Sequence, residues 1–184
     1  WEADSISSHL TKENKLIWLD FEANKESVLK KSWDNYRILH FATHGLIDDE
    51  YPELSGLILS LFDKNQKHSD GVLFAGDISK LKLNADLVVL SGCRTALGKQ
   101  FHGEGIVGLT QNFMLAGANR VLSSLWSVDD RATAQLMANF YKHLLGKNPQ
   151  NPAQALRLAQ IEMSLNPRWK HPYYWGAFVI QGDF

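Results

Sequence analysis

The sequence has a single cysteine and no long apolar run, and each shortage excludes a class of protein. One cysteine, Cys93, forms no internal disulfide and no zinc site that needs several cysteines. No apolar run reaches the roughly 18 residues that a membrane-spanning helix requires. The chain opens on Trp1 without a secretory pattern, so we expect a cytoplasmic C-terminal fragment of a longer protein.

An excess of charge of either sign is also missing. The chain has 19 basic and 20 acidic residues, for a net charge of −1. Nucleic acids and anionic membranes attract proteins with a basic surface, so we expect neither as a direct partner. Hydrophobic residues make up 45% and charged residues 21%, which is typical of a globular domain with a buried core. The composition therefore favours a partner that is another protein, recognised through a local pocket.

Strand patterns alternate with helix patterns along the chain. Strands are predicted near residues 16–21, 37–42, 57–62, 86–91, 120–126 and 174–180, the third as one arm of a hairpin. Residues 86–91 form a continuous apolar run, which favours the middle of a parallel sheet. We therefore predict an α/β fold with a mainly parallel sheet and helices on both faces. Residues 1–184 are predicted to form one domain, with 1–35 peripheral.

Two of the predicted strands end at reactive side chains, His44 and Cys93. If these strands are parallel neighbours, both side chains emerge at the same edge of the sheet, where functional groups of open α/β sheets gather. An imidazole can take the proton of a thiol during attack and return it to a leaving amine. The N–H groups of Gly45 and Cys93 could bind the oxyanion, and Gly92 would relieve crowding behind the nucleophile. No metal or organic cofactor is needed for this chemistry.

Other readings of these residues remain open. A lone cysteine is often a buried filler residue. His40 could join His44 in a metal site, but the sequence offers no third ligand, and a hydrogen-bonded core histidine is the simpler interpretation. Ser91 lacks the flanking glycines of a nucleophile elbow. The glycine run at 103–105 lacks the Lys-Ser/Thr of a phosphate loop, which argues against nucleotide binding.

The chain resembles a CHAT domain, a caspase-like cysteine peptidase domain that is often fused to tetratricopeptide repeats. The resemblance rests on ordered motifs from about residue 36 to the C-terminus. They read LHFATHG at 39–45, LSGL at 54–57, NADLVVLSGCRT at 84–95, GEGIVGL at 103–109, SLWSVDD at 124–130 and HPYYW at 171–175. The separation of 49 positions between His44 and Cys93 is similar to the spacing of about 50 in caspases.

The resemblance implies a caspase-type sheet and peptide-bond hydrolysis by a His–Cys dyad, with His44 as the base and Cys93 as the nucleophile. One departure from the family is Gly92, where alanine is more common; both residues are small. The resemblance also implies that the loop after the next strand, Ser124 to Asp130, lines the first specificity pocket.

Four residues of that loop are predicted to bind substrate: Ser124, Trp126, Asp129 and Asp130. Either aspartate could select a basic residue before the cut by charge pairing. The competing interpretation is that Asp129 caps the helix that follows.

The predicted function is a cysteine endopeptidase acting on a protein substrate and regulated by a partner or an appended repeat module. The alternative from another class is a catalytically silent interaction domain with the same fold. A third interpretation combines them as a latent peptidase that an activating complex switches on.

Overall fold

The computed structural model describes residues 2–48, 50–65, 67–92 and 104–183. Its helices are α1 (Glu2–Ser7), α2 (Lys25–Lys30), α3 (Ala75–Ile78), α4 (Glu104–Leu115), α5 (Asp130–Leu145) and α6 (Pro152–Leu165). Its strands are β1 (Ile38–Phe41), β2 (Gly45–Leu46), β3 (Gly56–Ile58), β4 (Val72–Phe74), β5 (Leu87–Leu90), β6 (Arg120–Ser124) and β7 (Phe178–Gly182).

The main sheet has the strand order β1-β5-β6-β7. Strands β1, β5 and β6 are parallel, and β7 runs antiparallel to β6. The predicted α/β class with a mainly parallel sheet is therefore confirmed. The apolar run also lies in the middle of the sheet as expected, and every residue of β5 is at most 1% exposed. A strand covered on both faces has no polar side to present to water, so its sequence does not alternate.

Helices cover both faces of this sheet. Val88 and Leu90 of β5 point into one core together with Phe113 of α4. Leu87 and Val89 point into the opposite core, which α5 and α6 complete. Within the described ranges, no helix is both long enough and apolar enough to cross a membrane.

A second, smaller sheet follows the end of β1. Its order is β2-β3-β4, and both pairings are antiparallel. The predicted hairpin arm at 57–62 is confirmed only at its start, since β3 pairs with β4 but ends at Ile58. Because β2 begins at Gly45, directly after His44, this sheet supports the backbone at the carboxyl end of β1.

One strand prediction is wrong, and another places its strand too early. Residues 16–21 form no strand: Leu16, Ile17 and Leu19 remain 40–55% exposed, and only Trp18 packs inward, against Trp33. The last strand begins at Phe178 rather than residue 174. The N–H groups of Trp175 and Gly176 donate to the Pro172 carbonyl, which holds the preceding backbone in a 3-10 turn.

Candidate active site at the carboxyl ends of β1 and β5

His44 lies three residues after the end of β1, and its side chain is exposed. Its backbone is held by β3: the Ile58 N–H donates to the His44 carbonyl at 2.8 Å. The Thr43 hydroxyl in turn donates to the Ile58 carbonyl. The chain is therefore fixed on both sides of the peptide that carries His44, while the imidazole faces solvent, where it can meet a substrate.

The chain after β5 packs directly against this backbone. A Cβ on Gly92 would lie 2.5 Å from the Thr43 carbonyl oxygen and 2.8 Å from the Thr43 nitrogen. Real Cβ atoms do not approach backbone so closely, so only glycine permits this contact. Gly92 therefore relieves crowding between the two strand ends, and that it does so behind a nucleophile stays a prediction. The residues immediately after this contact on the two chains are His44 and Cys93.

Cys93 itself lies outside the described residues. Its role as nucleophile and its N–H as an oxyanion donor stay predictions. The other predicted donor, Gly45, is buried and pairs with Leu57 at the start of β2.

His40 is the centre of a hydrogen-bond network one strand position before the end of β1. Its Nδ1 lies 2.9 Å from the Tyr141 hydroxyl of α5. Its Nε2 lies 2.9 Å from Glu2 Oε1 of α1 and 3.0 Å from Ser91 Oγ. The interpretation of His40 as a hydrogen-bonded core residue is confirmed. Among the residues that the structure describes, no group of three or more His, Cys, Asp or Glu is placed to hold a metal.

The chemistry of Glu2 fixes one proton in this network. A carboxylate only accepts hydrogen bonds, so His40 Nε2 carries a proton and donates it towards Glu2. Burial raises the pKa of Tyr141 far above its ordinary value, so the phenol keeps its proton where it is hydrogen-bonded to Nδ1. Because Nε2 is protonated where it faces Ser91, His40 does not act as a base for that hydroxyl. The geometry thus agrees with the rejection of Ser91 as a nucleophile.

Glu2 is held as a carboxylate. Burial alone would raise the pKa of Glu2. The hydrogen bond and charge of His40, together with a hydrogen bond from Ser91, outweigh burial and leave this pKa below its ordinary value of 4.5. The charged form of Glu2 is therefore favoured by the folded structure.

Sequence reasoning missed three of the four members of this network. It treated residues 1–35, and with them Glu2, as peripheral, it assigned no role to Tyr141, and it considered Ser91 only as a nucleophile. One signal was available: His40 and Ser91 are polar residues within the predicted strands 37–42 and 86–91, and buried polar groups require hydrogen-bond partners. No sequence signal marks Glu2, which is 38 residues away from His40.

The predicted pocket loop begins inside the sheet. Ser124 is the last residue of β6, is 3% exposed and pairs with Phe178. Trp126 is partly exposed, and its indole N–H donates to the Tyr173 carbonyl at 3.0 Å. The Tyr173 hydroxyl donates to the Ser127 carbonyl at 2.7 Å. These two bonds join the loop to the 3-10 turn before β7.

Asp129 caps α5. Its Oδ1 accepts from the N–H groups of Arg131 and Ala132 at 3.0 and 3.1 Å. The capping interpretation is confirmed, and it occupies one of the two carboxylate oxygens. Asp129 and Asp130 are both exposed, so their charge is presented to solvent at the start of the helix.

Comparison with known proteins identifies the family. Tetratricopeptide repeat protein 28 of Mus musculus is 34% identical over 114 residues, and the protein of the same name from Homo sapiens is 33% identical over 112 residues. Each match covers 61% of this chain and about 4% of the relative. A family model described as CHAT domain matches residues 1–183. CHAT domains belong to the caspase-like peptidase superfamily. This chain is a member of the CHAT domain family.

Proposed function

We propose that this domain is a cysteine endopeptidase that cleaves a protein substrate, with Cys93 as nucleophile and His44 as general base and then acid. Tetratricopeptide repeats in the named relatives support a regulated enzyme that works beside a protein-binding module. We propose a cytoplasmic location, and no nucleic acid or membrane is invoked as a direct partner.

The proposed reaction has two stages. The Cys93 thiol gives its proton to the His44 imidazole and attacks the scissile carbonyl carbon, and the Gly45 and Cys93 N–H groups stabilise the oxyanion. His44 then protonates the leaving amine, which leaves a thioester on Cys93. Water, activated by His44, hydrolyses the thioester to release the acid product and restore the thiol.

The observation that carries this proposal is the contact between Gly92 and Thr43. Strands β1 and β5 are adjacent and parallel, and the Phe41–Leu90 pair ends their register. The chain after each strand then stays in van der Waals contact up to the residue before His44 and the residue before Cys93. A side chain at residue 92 would separate the two chains. The exposed imidazole of His44 at this point supports a role in solvent-accessible chemistry.

The test is labelling with a biotinylated peptidyl acyloxymethyl ketone that carries arginine next to the reactive group. We expect wild type to be labelled on Cys93 and Cys93→Ala to be unlabelled. We expect the labelling rate of His44→Ala to be lower by a factor of about 100 or more. His68→Ala is the matched control, because His68 is also exposed but lies in the loop between β3 and β4.

The rival scaffold function predicts a different pattern. If wild type is labelled no faster than His44→Ala, and a candidate protein bound by the domain stays intact, the peptidase proposal is wrong and the interaction domain is favoured.

A further inference from the structure

We infer that His40 is a positioning residue for the proposed dyad, and that Glu2 of α1 holds it in its working orientation. This inference rests on the proposed function, since it concerns how the two strand ends that precede His44 and Cys93 are held together. The inference gives the N-terminal helix α1 a part in the control of the active site. This helix lies before the sequence motifs described above.

The first argument is the location of the His40 contacts. His40 belongs to β1, four residues before His44. Its Nε2 contacts Ser91, two residues before Cys93 on the chain that leaves β5. One imidazole therefore joins the two chains on one face of the sheet, while the Gly92 contact with Thr43 joins them one residue further on. The Ser91 N–H, which donates to the Phe41 carbonyl at 3.2 Å, completes the connection.

The second argument is that the orientation of the imidazole is fixed by its other partners. The Tyr141 hydroxyl, on the buried face of α5, binds Nδ1. The Glu2 carboxylate binds Nε2 and also accepts a hydrogen bond from Ser91. Without Glu2, the His40 Nε2 proton and the Ser91 hydroxyl both lose the carboxylate that accepts their hydrogen bonds. Both groups could then rotate, and the chain that leads to Cys93 would lose a fixed contact.

The third argument is that α1 meets the sheet through this network. No residue of α1 is buried, the partly buried Ile6 packs against the core, and α1 also contacts α5. Glu2 is hydrogen-bonded to His40 of β1 at 2.9 Å. A displacement of α1 would therefore move Glu2 and act through it on His40 and Ser91.

The experiment compares Glu2→Gln and His40→Ala with wild type in the same labelling reaction, from pH 6 to 9. We expect the maximal labelling rate at saturating probe to fall about 10- to 100-fold, as a displacement near 1 Å would cause, with the half-saturating probe concentration unchanged. The midpoint of the pH–rate profile should move towards that of a free thiol. A merely structural role would leave both readouts unchanged below the unfolding temperature.

The matched control is the pair His143 and Glu162. Their side chains form the same kind of contact, Nε2 to Oε1 at 2.9 Å, but between α5 and α6, away from the strand ends. Glu162→Gln should label as wild type does. We expect Glu2→Gln to fold even if His40→Ala does not, because Glu2 lies on the peripheral helix α1.

The outcomes separate this inference from the proposed function. If His44→Ala slows labelling while Glu2→Gln and His40→Ala do not, the positioning role is wrong and the peptidase stands. If none of the three variants slows labelling, both proposals are wrong. An equal loss in Glu162→Gln would also overturn the positioning role, because the effect would then be general.

Discussion

Gly92 shows how one missing side chain can set the distance between two strand ends. Its Cα lies against the Thr43 peptide, where an alanine methyl group would meet backbone atoms at 2.5–2.9 Å. Backbone in a paired strand end does not move aside as a flexible side chain does. Glycine and alanine are therefore not interchangeable here, although both are small.

We predict that Gly92→Ala lowers both stability and labelling of Cys93. Forcing a methyl group into a packed site costs about 1–3 kcal/mol of unfolding free energy, and separation of the strand ends would slow labelling. The measurements are urea unfolding and the acyloxymethyl ketone rate. Gly108→Ala in α4 is the control, since its Cβ would meet nothing within 4 Å. An alanine in a helix interior should stabilise by about 0.5–1 kcal/mol. A Gly92→Ala variant with wild-type stability and rate would contradict this account.

Among the elements, α5 connects the predicted substrate pocket to the His40 network. It begins at the Asp129 cap, beside the loop 124–130, and it carries Tyr141 about three turns later. The aspartate has two separable properties: Oδ1 caps the helix, and the carboxylate carries a negative charge. Sequence reasoning offered these as competing interpretations, but the geometry allows both, because the cap uses one oxygen.

We predict that Asp129→Asn separates the two roles. Asparagine caps as well as aspartate, so stability should hold, whereas Asp129→Ala should lose about 1 kcal/mol. If the charge selects a basic residue, Asp129→Asn should label about tenfold more slowly with an arginine probe and unchanged with a leucine probe. Asn151→Ala removes the equivalent cap of α6 and controls for lost helix stability. Equal rates of wild type and Asp129→Asn with both probes would leave Asp129 as a cap alone.

The main sheet has a hydrophobic core on each face, and the two cores are built from different elements. The face that α4 covers contains the Trp33, Leu73 and Phe113 side chains. On the other face, α5 and α6 supply the apolar side chains, but a polar network reaches in from α1 at one end. Since the charged form of Glu2 is favoured more strongly in the folded chain than in the unfolded chain, global stability is linked to pH through this residue.

We predict that wild type loses more unfolding free energy than Glu2→Gln as the pH falls below 4.5. The pKa of Glu2 is lowered in the folded state, so its contribution is complete above 4.5 and is lost as the pH falls through the folded value. The groups that face it are His40, Ser91 and Tyr141. Urea unfolding of both proteins at pH 6, 4.5 and 3.5 measures the difference between their unfolding free energies. The contributions of carboxylates that both proteins share cancel in this difference. Parallel pH profiles would show that Glu2 makes no net contribution.

The sequence by itself determined the class, the central strand, the candidate helix cap at 129, and the two strand ends that precede the proposed dyad. These features depend on local patterns, such as an unbroken apolar run or a capping residue before a helix. Tertiary structure alone decided that Gly92 contacts Thr43 and that Glu2, His40, Ser91 and Tyr141 form one network. These residues are separated by tens of positions on four elements, and such contacts leave no periodic signal in a sequence. Their contacts follow only from which strands pair in the sheet and from where α1 and α5 pack on it.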